Sequence, residues 1–287
     1  MPPTIVPERP VAKGPLAARW LWYELPPLRA GVTAHGRAEL ENAGSASWVP
    51  GPEEQISVSY HWLDSLGNPI VWAGIFSPVQ RTVAPGERVE LYFAVAAPMP
   101  PARYRLSLDV VAEGRCWFAE LGNAPLELEV EVAPRVERRA LVVEIIGGDP
   151  LREQTLAALG AQDEPLKPAE QAEAVAYLAA GCLPAPDWSR RVLDAHADGY
   201  AAVGGSIEPL VRPVARRKAA SVLAPWAPGS GRKPGFEHPL LCPSVAVEEE
   251  SLWDETVAGL PALASPPEPW LYDGRIRLQV LGDGLVL

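Results

Sequence analysis

Tryptophans, a local group of basic residues, three cysteines and four histidines are the side chains whose types and spacing could do chemistry in this chain. Six of its ten tryptophans, Trp20, Trp22, Trp48, Trp62, Trp72 and Trp117, lie in the first half. An indole left in solvent is a platform for a sugar ring or a partner's side chain, whereas one turned inward fills the space between two sheets. Alternation along ISVSYHWL puts Trp62 on one face with Ile56, Val58 and Tyr60, which reads as core. Trp20, Trp22 and Trp72 are the candidates for a ligand surface. Arg212, Arg216, Arg217, Lys218, Arg232 and Lys233 form the one locally basic region of an acidic protein. Arg216 and Arg217 there are candidates for contact with phosphate, an anionic glycan or the acidic first half.

Cys116, Cys182 and Cys242 are about 60 residues apart and make no CxxC pair or even disulfide framework, so they read as buried thiols. His35, His61, His196 and His238 are equally scattered, and a zinc site would need a fold that gathers them from both halves. No metal and no cofactor is expected.

The composition narrows the partners. A formal net charge of -11 and a pI near 5.0 argue against nucleic acid, whose phosphates need a basic surface. The N-terminus has no apolar signal region, and no run of about 18 uncharged apolar residues occurs, so a soluble, cytoplasmic protein is expected. The length of 287 residues allows two cores, and the 33 prolines, about twice the usual share, suggest many strand edges and loops.

The elements that must position these residues change character along the chain. Residues 1–18 are a proline-rich arm, either a strap or a disordered tail. Residues 19–133 hold short alternating runs (WLWYEL, RAELEN, ISVSYHWL, VWAGIF, RVELYFAVAA, RYRLSLDVV, CWF, LELEVEV) between turn residues at Asn42-Ala43-Gly44, Leu66-Gly67-Asn68, Pro85-Gly86-Glu87 and Glu113-Gly114. That spacing predicts an antiparallel sandwich. Leu40-x-Asn42-x-Gly44-x-x-x-Trp48, Tyr60-x-Trp62-x-Asp64-x-x-Gly67, Pro85-Gly86-Glu87, Tyr104-x-Leu106 and Gly114-x-x-Trp117-Phe118 resemble immunoglobulin-like domains of the four-tryptophan type. Such domains also accompany bacterial carbohydrate-active proteins, and the resemblance implies a protein- or glycan-binding module or a spacer.

Pro134 to Arg139 (PRVERR) reads as a polar linker to a second domain at 140–287. LVVEII is a buried strand, Asp149-Pro150 can start a helix, and LREQTLAALGAQ places Leu151, Thr155, Ala158 and Leu159 on one stripe. Ala174 to Leu178 reads as a second strand, Asp187 as the cap of a helix from Trp188 to Ala197, and Tyr200 to Val203 as a strand parallel to the one before that helix. Glu248 to Leu260 reads as a helix with acids in its first turn.

CLPAPDW followed by a helix and VGG, together with TLAALGAQ, resembles the inverting nucleotide-sugar glycosyltransferases of the GT-A fold. The expected fold class is therefore an all-β immunoglobulin-like sandwich plus a small α/β domain of parallel strands. In that family an acidic cluster after the strand holds a divalent metal; the matching positions here are Ala179, Ala180 and Gly181, which offer no carboxylate. Asp273 in EPWLYDGRIRL matches the family's base, with Tyr272 in place of the preceding acid and Gln279 in place of an arginine. Only DEPLKP (Asp163 to Pro168) stands where the family carries a strand, a helix and a strand, too short for that nucleotide-binding segment.

The leading expectation is a non-catalytic, glycosyltransferase-like scaffold or binding subunit with a protein partner, linked to glycan or cell-envelope assembly. One alternative is an active transferase of reduced form, with Asp273 as base and Glu170, Glu173 or Asp187 holding the metal. The other is a glycan-binding module acting through its tryptophans.

Overall fold

The computed structural model describes residues 2–51, 55–148, 151–209, 240–247, 255–257 and 259–281. The chain divides into two compact units, Met1–Ala133 and Pro134–Leu287.

The first unit contains β1 (Thr4–Ile5), β2 (Ala18–Glu24), β3 (Leu28–Arg29), β4 (Thr33–Asn42), β5 (Ile56–Leu63), β6 (Pro69–Val71), β7 (Ser77–Pro78), β8 (Arg88–Ala96), β9 (Arg103–Ala112), β10 (Cys116–Trp117) and β11 (Leu126–Ala133). One sheet runs β1-β2-β4-β8; the other runs β3-β11-β9-β5-β6, with β7 on β5 and β10 on β9. Among the described residues of this unit, only the short β11–β3 pairing is parallel. This is the expected immunoglobulin-like β-sandwich. Val89, Leu91, Phe93 and Val95 alternate inward from β8, and Ile56, Val58, Tyr60 and Trp62 face them from β5 in one core. The indole Nε1 of Trp62 donates to the Ala96 carbonyl at 2.9 Å, and the Tyr60 hydroxyl accepts from the Ala96 N–H at 2.9 Å, so both polar tips are satisfied where the sheets meet.

The arm is a strap. β1 pairs with β2, Val6 is buried, and the Arg9 guanidinium donates to the Pro125 carbonyl at 3.0 Å. The turn at Asn42 is fixed by that side chain, which accepts from the Gly44 N–H and donates to the Ala46 and Val83 carbonyls.

The second unit contains β12 (Leu141–Ile146), α1 (Arg152–Gly160), β13 (Ala174–Ala179), β14 (Cys182–Pro184), α2 (Trp188–Asp198), β15 (Ala202–Pro209), β16 (Leu240–Leu241), β17 (Ser244–Ala246), β18 (Glu255–Val257), β19 (Leu260–Leu263) and β20 (Trp270–Val280). A mixed sheet runs β12-β13-β17-β15-β20-β14, and a small one runs β16-β19-β18. Among the described residues two pairings in this unit are parallel: β12 with β13 across α1, and β15 with β20. With two α-helices among the described residues, the protein is mostly β.

Several expectations are corrected. β13 and β15 run in the same direction but are not neighbours, because β17 lies between them antiparallel to both. Pro134 to Arg139 is no polar tether: Arg135 and Val136 are buried, and Arg135 donates through its backbone N–H to the Ala197 carbonyl and through Nη1 to the Gly199 carbonyl. Its charged side chains act as anchors, Arg138 on Glu173 and Arg139 on Glu164 and Asp194. The helix expected from Glu248 is overturned at its C-terminal end, where β18 and β19 pair with Val257 opposite Leu260 around Gly259 at φ 81°; residues 248–254 lie outside the described residues, as do Asp149 and Pro150. Sheet pairing there outweighs the favourable placement of acids at a helix start. Asp187 does stand at the start of α2, but its carboxylate takes Arg191 Nε at 2.6 Å, and the Ser189 N–H is capped by Gln162 at 2.9 Å instead.

Candidate ligand-binding site

β5 is buried on both faces, which an outer strand face of serines and a histidine does not require by itself. Its outward residues Ser57, Ser59 and His61 stand opposite Val111, Asp109 and Ser107 of β9. Two segments cover this polar row. The first is the arch Trp72 to Phe76 between β6 and β7; the second is β10 with the 3-10 turn Phe118–Leu121.

The arch closes onto β5 through the Gly74 N–H, which donates to the Tyr60 carbonyl at 2.9 Å. A Cβ on Gly74 would stand 2.2 Å from the Tyr60 ring, so only glycine permits this approach. The arch thereby holds Trp72 against His61, ring centroids 4.4 Å apart and 28° between planes. His61 Nδ1 donates to the Trp72 carbonyl, and burial lowers the pKa of the imidazole, which keeps it neutral. From the other segment, Trp117 lies 4.3 Å from the His61 ring and 6.2 Å from Phe76.

Trp117 is fixed from behind. Its neighbour Phe118 is fully buried edge-on to Trp48, and Asp109 accepts from the Ala119 and Val110 N–H groups at 3.1 and 2.8 Å. Burial pushes the Asp109 carboxyl up to about 6 against these hydrogen bonds. The outer surface of the cluster is apolar and open, with Trp72 at 60% exposure, Ile70 at 46%, Phe76 at 42% and Ile75 at 39%. Exposed apolar side chains on a rigid support mark a contact surface.

Of the three tryptophans singled out from sequence, only Trp72 belongs to this surface. Trp20 is buried in the core and is not a ligand residue. Trp22, on the other sheet, is engaged by its own neighbours: Nε1 donates to Glu39 at 3.1 Å, and the Arg37 guanidinium lies 5.9 Å from its ring. The structure therefore does not bring the three together. Arg216 and Arg217 lie outside the described residues. Trp117, Phe76 and His61 were missed as site residues. VWAGIF, read as one of the alternating strand runs, instead runs past the end of β6 at Val71 into this arch.

In the second unit Asp273 lies inside β20, where the pairing with β15 is irregular between Gly205 and Ser206. Its carboxylate is 4% exposed and accepts from Arg275 Nη2 at 2.6 Å, Arg275 Nε at 3.0 Å and the Arg275 N–H at 2.9 Å. Burial pushes its pKa up, and the Arg275 hydrogen bonds and charge outweigh this and hold it below the ordinary carboxylate value. A carboxylate so held is a poor base. Ala179, Ala180 and Gly181 form the end of β13 and the turn into β14, Gly181 donating its N–H to the Thr155 hydroxyl at 2.9 Å. Glu173 is held by Arg138 and Asp187 by Arg191, while Glu170 stands apart in a 3-10 turn. Among the described residues no group of three or more His, Cys, Asp or Glu could hold a metal ion. His61 and His196 lie in different units; His196 is buried, with Nδ1 on the Tyr200 carbonyl at 2.8 Å and Nε2 on the Ser244 hydroxyl at 2.9 Å.

No family model matches the chain, and no curated protein sequence matches it. Among solved structures, the C-terminal domain of wzt overlaps 42% of this chain and 75% of its own length, at 12% identity and a TM-score of 0.30. A CARDB domain from Pyrococcus furiosus in complex with di-metal ions overlaps 38% of this chain and 83% of its own length, at 18% identity and a TM-score of 0.26. A beta-glucosidase from Listeria innocua in complex with glucose overlaps 40% of this chain and 15% of its own length, at 17% identity and a TM-score of 0.27. The sandwich assignment rests on the strand order and register of this chain.

Proposed function

We propose that the protein is a non-catalytic binding protein whose sandwich takes up a carbohydrate on the aromatic surface of Trp72, Trp117 and Phe76. Its second unit then serves as a glycosyltransferase-like scaffold for a protein partner in glycan or cell-envelope assembly. The observation that carries the reading is the exposed Trp72 ring, held flat on His61. Pyranose rings present a face of C–H groups that packs on an indole, and a ring fixed in advance loses little freedom on binding. The net charge of -11 favours a neutral glycan over a polyanionic one.

The absence of transfer chemistry is supported by the apolar Ala179 and Ala180 at the positions where the resembled family carries acids, and by Asp273 being occupied by Arg275. The direct return of the chain from β12 through α1 to its neighbour β13 leaves no room for a nucleotide-binding strand between them.

The test is retention of the full chain in gels containing neutral polysaccharides such as mannan, dextran or laminarin, beside calorimetry with uridine- and guanosine-diphosphate sugars. Retardation by a polysaccharide, with no Mn²⁺-dependent uptake of nucleotide sugar, is expected. Tight nucleotide-sugar binding that EDTA abolishes, or no polysaccharide binding at all, would overturn the proposal.

A further inference from the structure

We propose that Cys182 and Cys242 form a redox-active dithiol that closes reversibly to a disulfide. Sequence spacing gives no hint of the pair, yet their Sγ atoms are 3.8 Å apart. Cys182 opens β14 after the turn at Gly181, paired with Val280. Cys242 stands two residues before β17 in left-handed backbone, φ 46°, a conformation few residues with a side chain adopt. It is held there on both sides: its N–H donates to the Pro261 carbonyl at 2.7 Å, and the Pro243 carbonyl accepts from Tyr177 at 2.9 Å. The third cysteine, Cys116, lies in the other unit.

A disulfide needs its sulfurs about 2.05 Å apart, so the two must approach by roughly 2 Å, within the reach of side-chain rotation and a small shift of the adjoining turn. Either thiol can donate in this contact; we assign Cys182 as the nucleophile because its hydrogen bond with Cys242 lowers its pKa, whereas that bond and burial push Cys242 up. With a peroxide as oxidant, the Cys182 thiolate attacks one peroxide oxygen; the O–O bond breaks, and the other oxygen leaves as water after taking a proton. Cys242 then attacks the resulting sulfenic sulfur. The S–S bond forms, the S–O bond breaks, and the hydroxide leaves as a second water with the Cys242 proton. Two electrons pass from the thiols to the peroxide. Both cysteines are buried, so the reaction proceeds through local opening and a small oxidant suits it.

The crosslink would tie the β13–β14 turn to the lead-in of β17, the three-residue strand hydrogen-bonded to β13 and β15. It would also close the loop that carries α2, β15 and the basic stretch, removing freedom from the unfolded chain.

The experiment treats the full-length chain with hydrogen peroxide, unfolds it, alkylates free thiols, and weighs the protein and its peptides before and after dithiothreitol. The expected result is a single alkylated cysteine, Cys116, and a peptide pair joined through Cys182 and Cys242, reversed by the reductant. In a Cys116→Ser chain no thiol should then be alkylated, the mass should fall by two hydrogen atoms, and the melting temperature should rise on oxidation. Cys242→Ser should abolish the crosslink and leave Cys182 alkylatable or singly oxidised. Alkylation of both Cys182 and Cys242 after peroxide treatment of the wild-type chain, or sulfinic acid on either without a crosslink, would overturn the proposal.

Discussion

The Trp72 indole stacks on the His61 imidazole at 4.4 Å while the Trp72 carbonyl accepts a hydrogen bond from the same imidazole. One histidine thus holds both the backbone and the ring of the most exposed tryptophan among the described residues. The ring is displayed to solvent without being free to swing, the condition for a platform rather than a loose surface residue. His61→Ala should therefore weaken carbohydrate binding about tenfold, the ~1.4 kcal/mol expected when a stacked support is lost. Gel retardation of the variant checks this; unchanged mobility shift in a folded variant would mean that His61 does not support the site.

Trp62→Ala should behave in the opposite manner. That indole is fully buried and hydrogen-bonded to Ala96, so its removal should cost roughly 3–5 kcal/mol of stability in urea unfolding. A loss well under 1 kcal/mol would show that the core does not depend on it.

Asp273→Asn should leave transfer to any acceptor unchanged, since the carboxylate serves Arg275. It should cost about 1 kcal/mol, less than a buried charge-assisted pair, because the Arg275 side chain is 60% exposed and screened. Loss of sugar transfer at an unchanged melting temperature would restore the base reading.

His196 and Asp109 should contribute to stability with opposite dependence on pH. His196 titrates near 6.5 when unfolded and at about 4 in the fold because burial disfavours its charged form. The unfolded state therefore takes the proton first, and about 3 kcal/mol of stability is lost as pH falls from about 7 to about 4. Asp109 is raised from 3.8 to about 6, again by burial, so the fold holds its proton longer and about 3 kcal/mol is lost as pH rises from about 4 to about 6. Relative to wild type, His196→Gln should become comparatively more stable as pH falls, and Asp109→Asn comparatively more stable as pH rises. Unfolding free energies measured across that range decide it; parallel curves for either pair would remove that residue from the account.

Much of the first unit was legible because antiparallel strands write their burial as alternation: β4 and β8 follow the period of two, and Asn42 and Gly86 mark real turns. The second unit was legible in its apolar runs, which form β12, β13 and β15, and at the helices α1 and α2. β17 was hidden because three residues carry no period and its partners are distant in sequence. Arg135 looks solvated in sequence, whereas it is buried and bonds the Gly199 carbonyl. At the candidate site, Trp72 was visible as a candidate for a ligand surface. Its alliance with Trp117 was not, since it depends on His61 joining two loops about 45 residues apart.

The most direct measurement is a calorimetric titration of a polysaccharide that retards the wild-type chain, made in parallel on Trp72→Ala and Trp22→Ala. Loss of one stacked platform should weaken binding by roughly 2 kcal/mol, about thirtyfold, in Trp72→Ala, with Trp22→Ala close to wild type and both variants melting near the wild-type temperature. Equal affinity for wild type and Trp72→Ala, or a loss confined to Trp22→Ala, would contradict a binding surface built on Trp72 and His61.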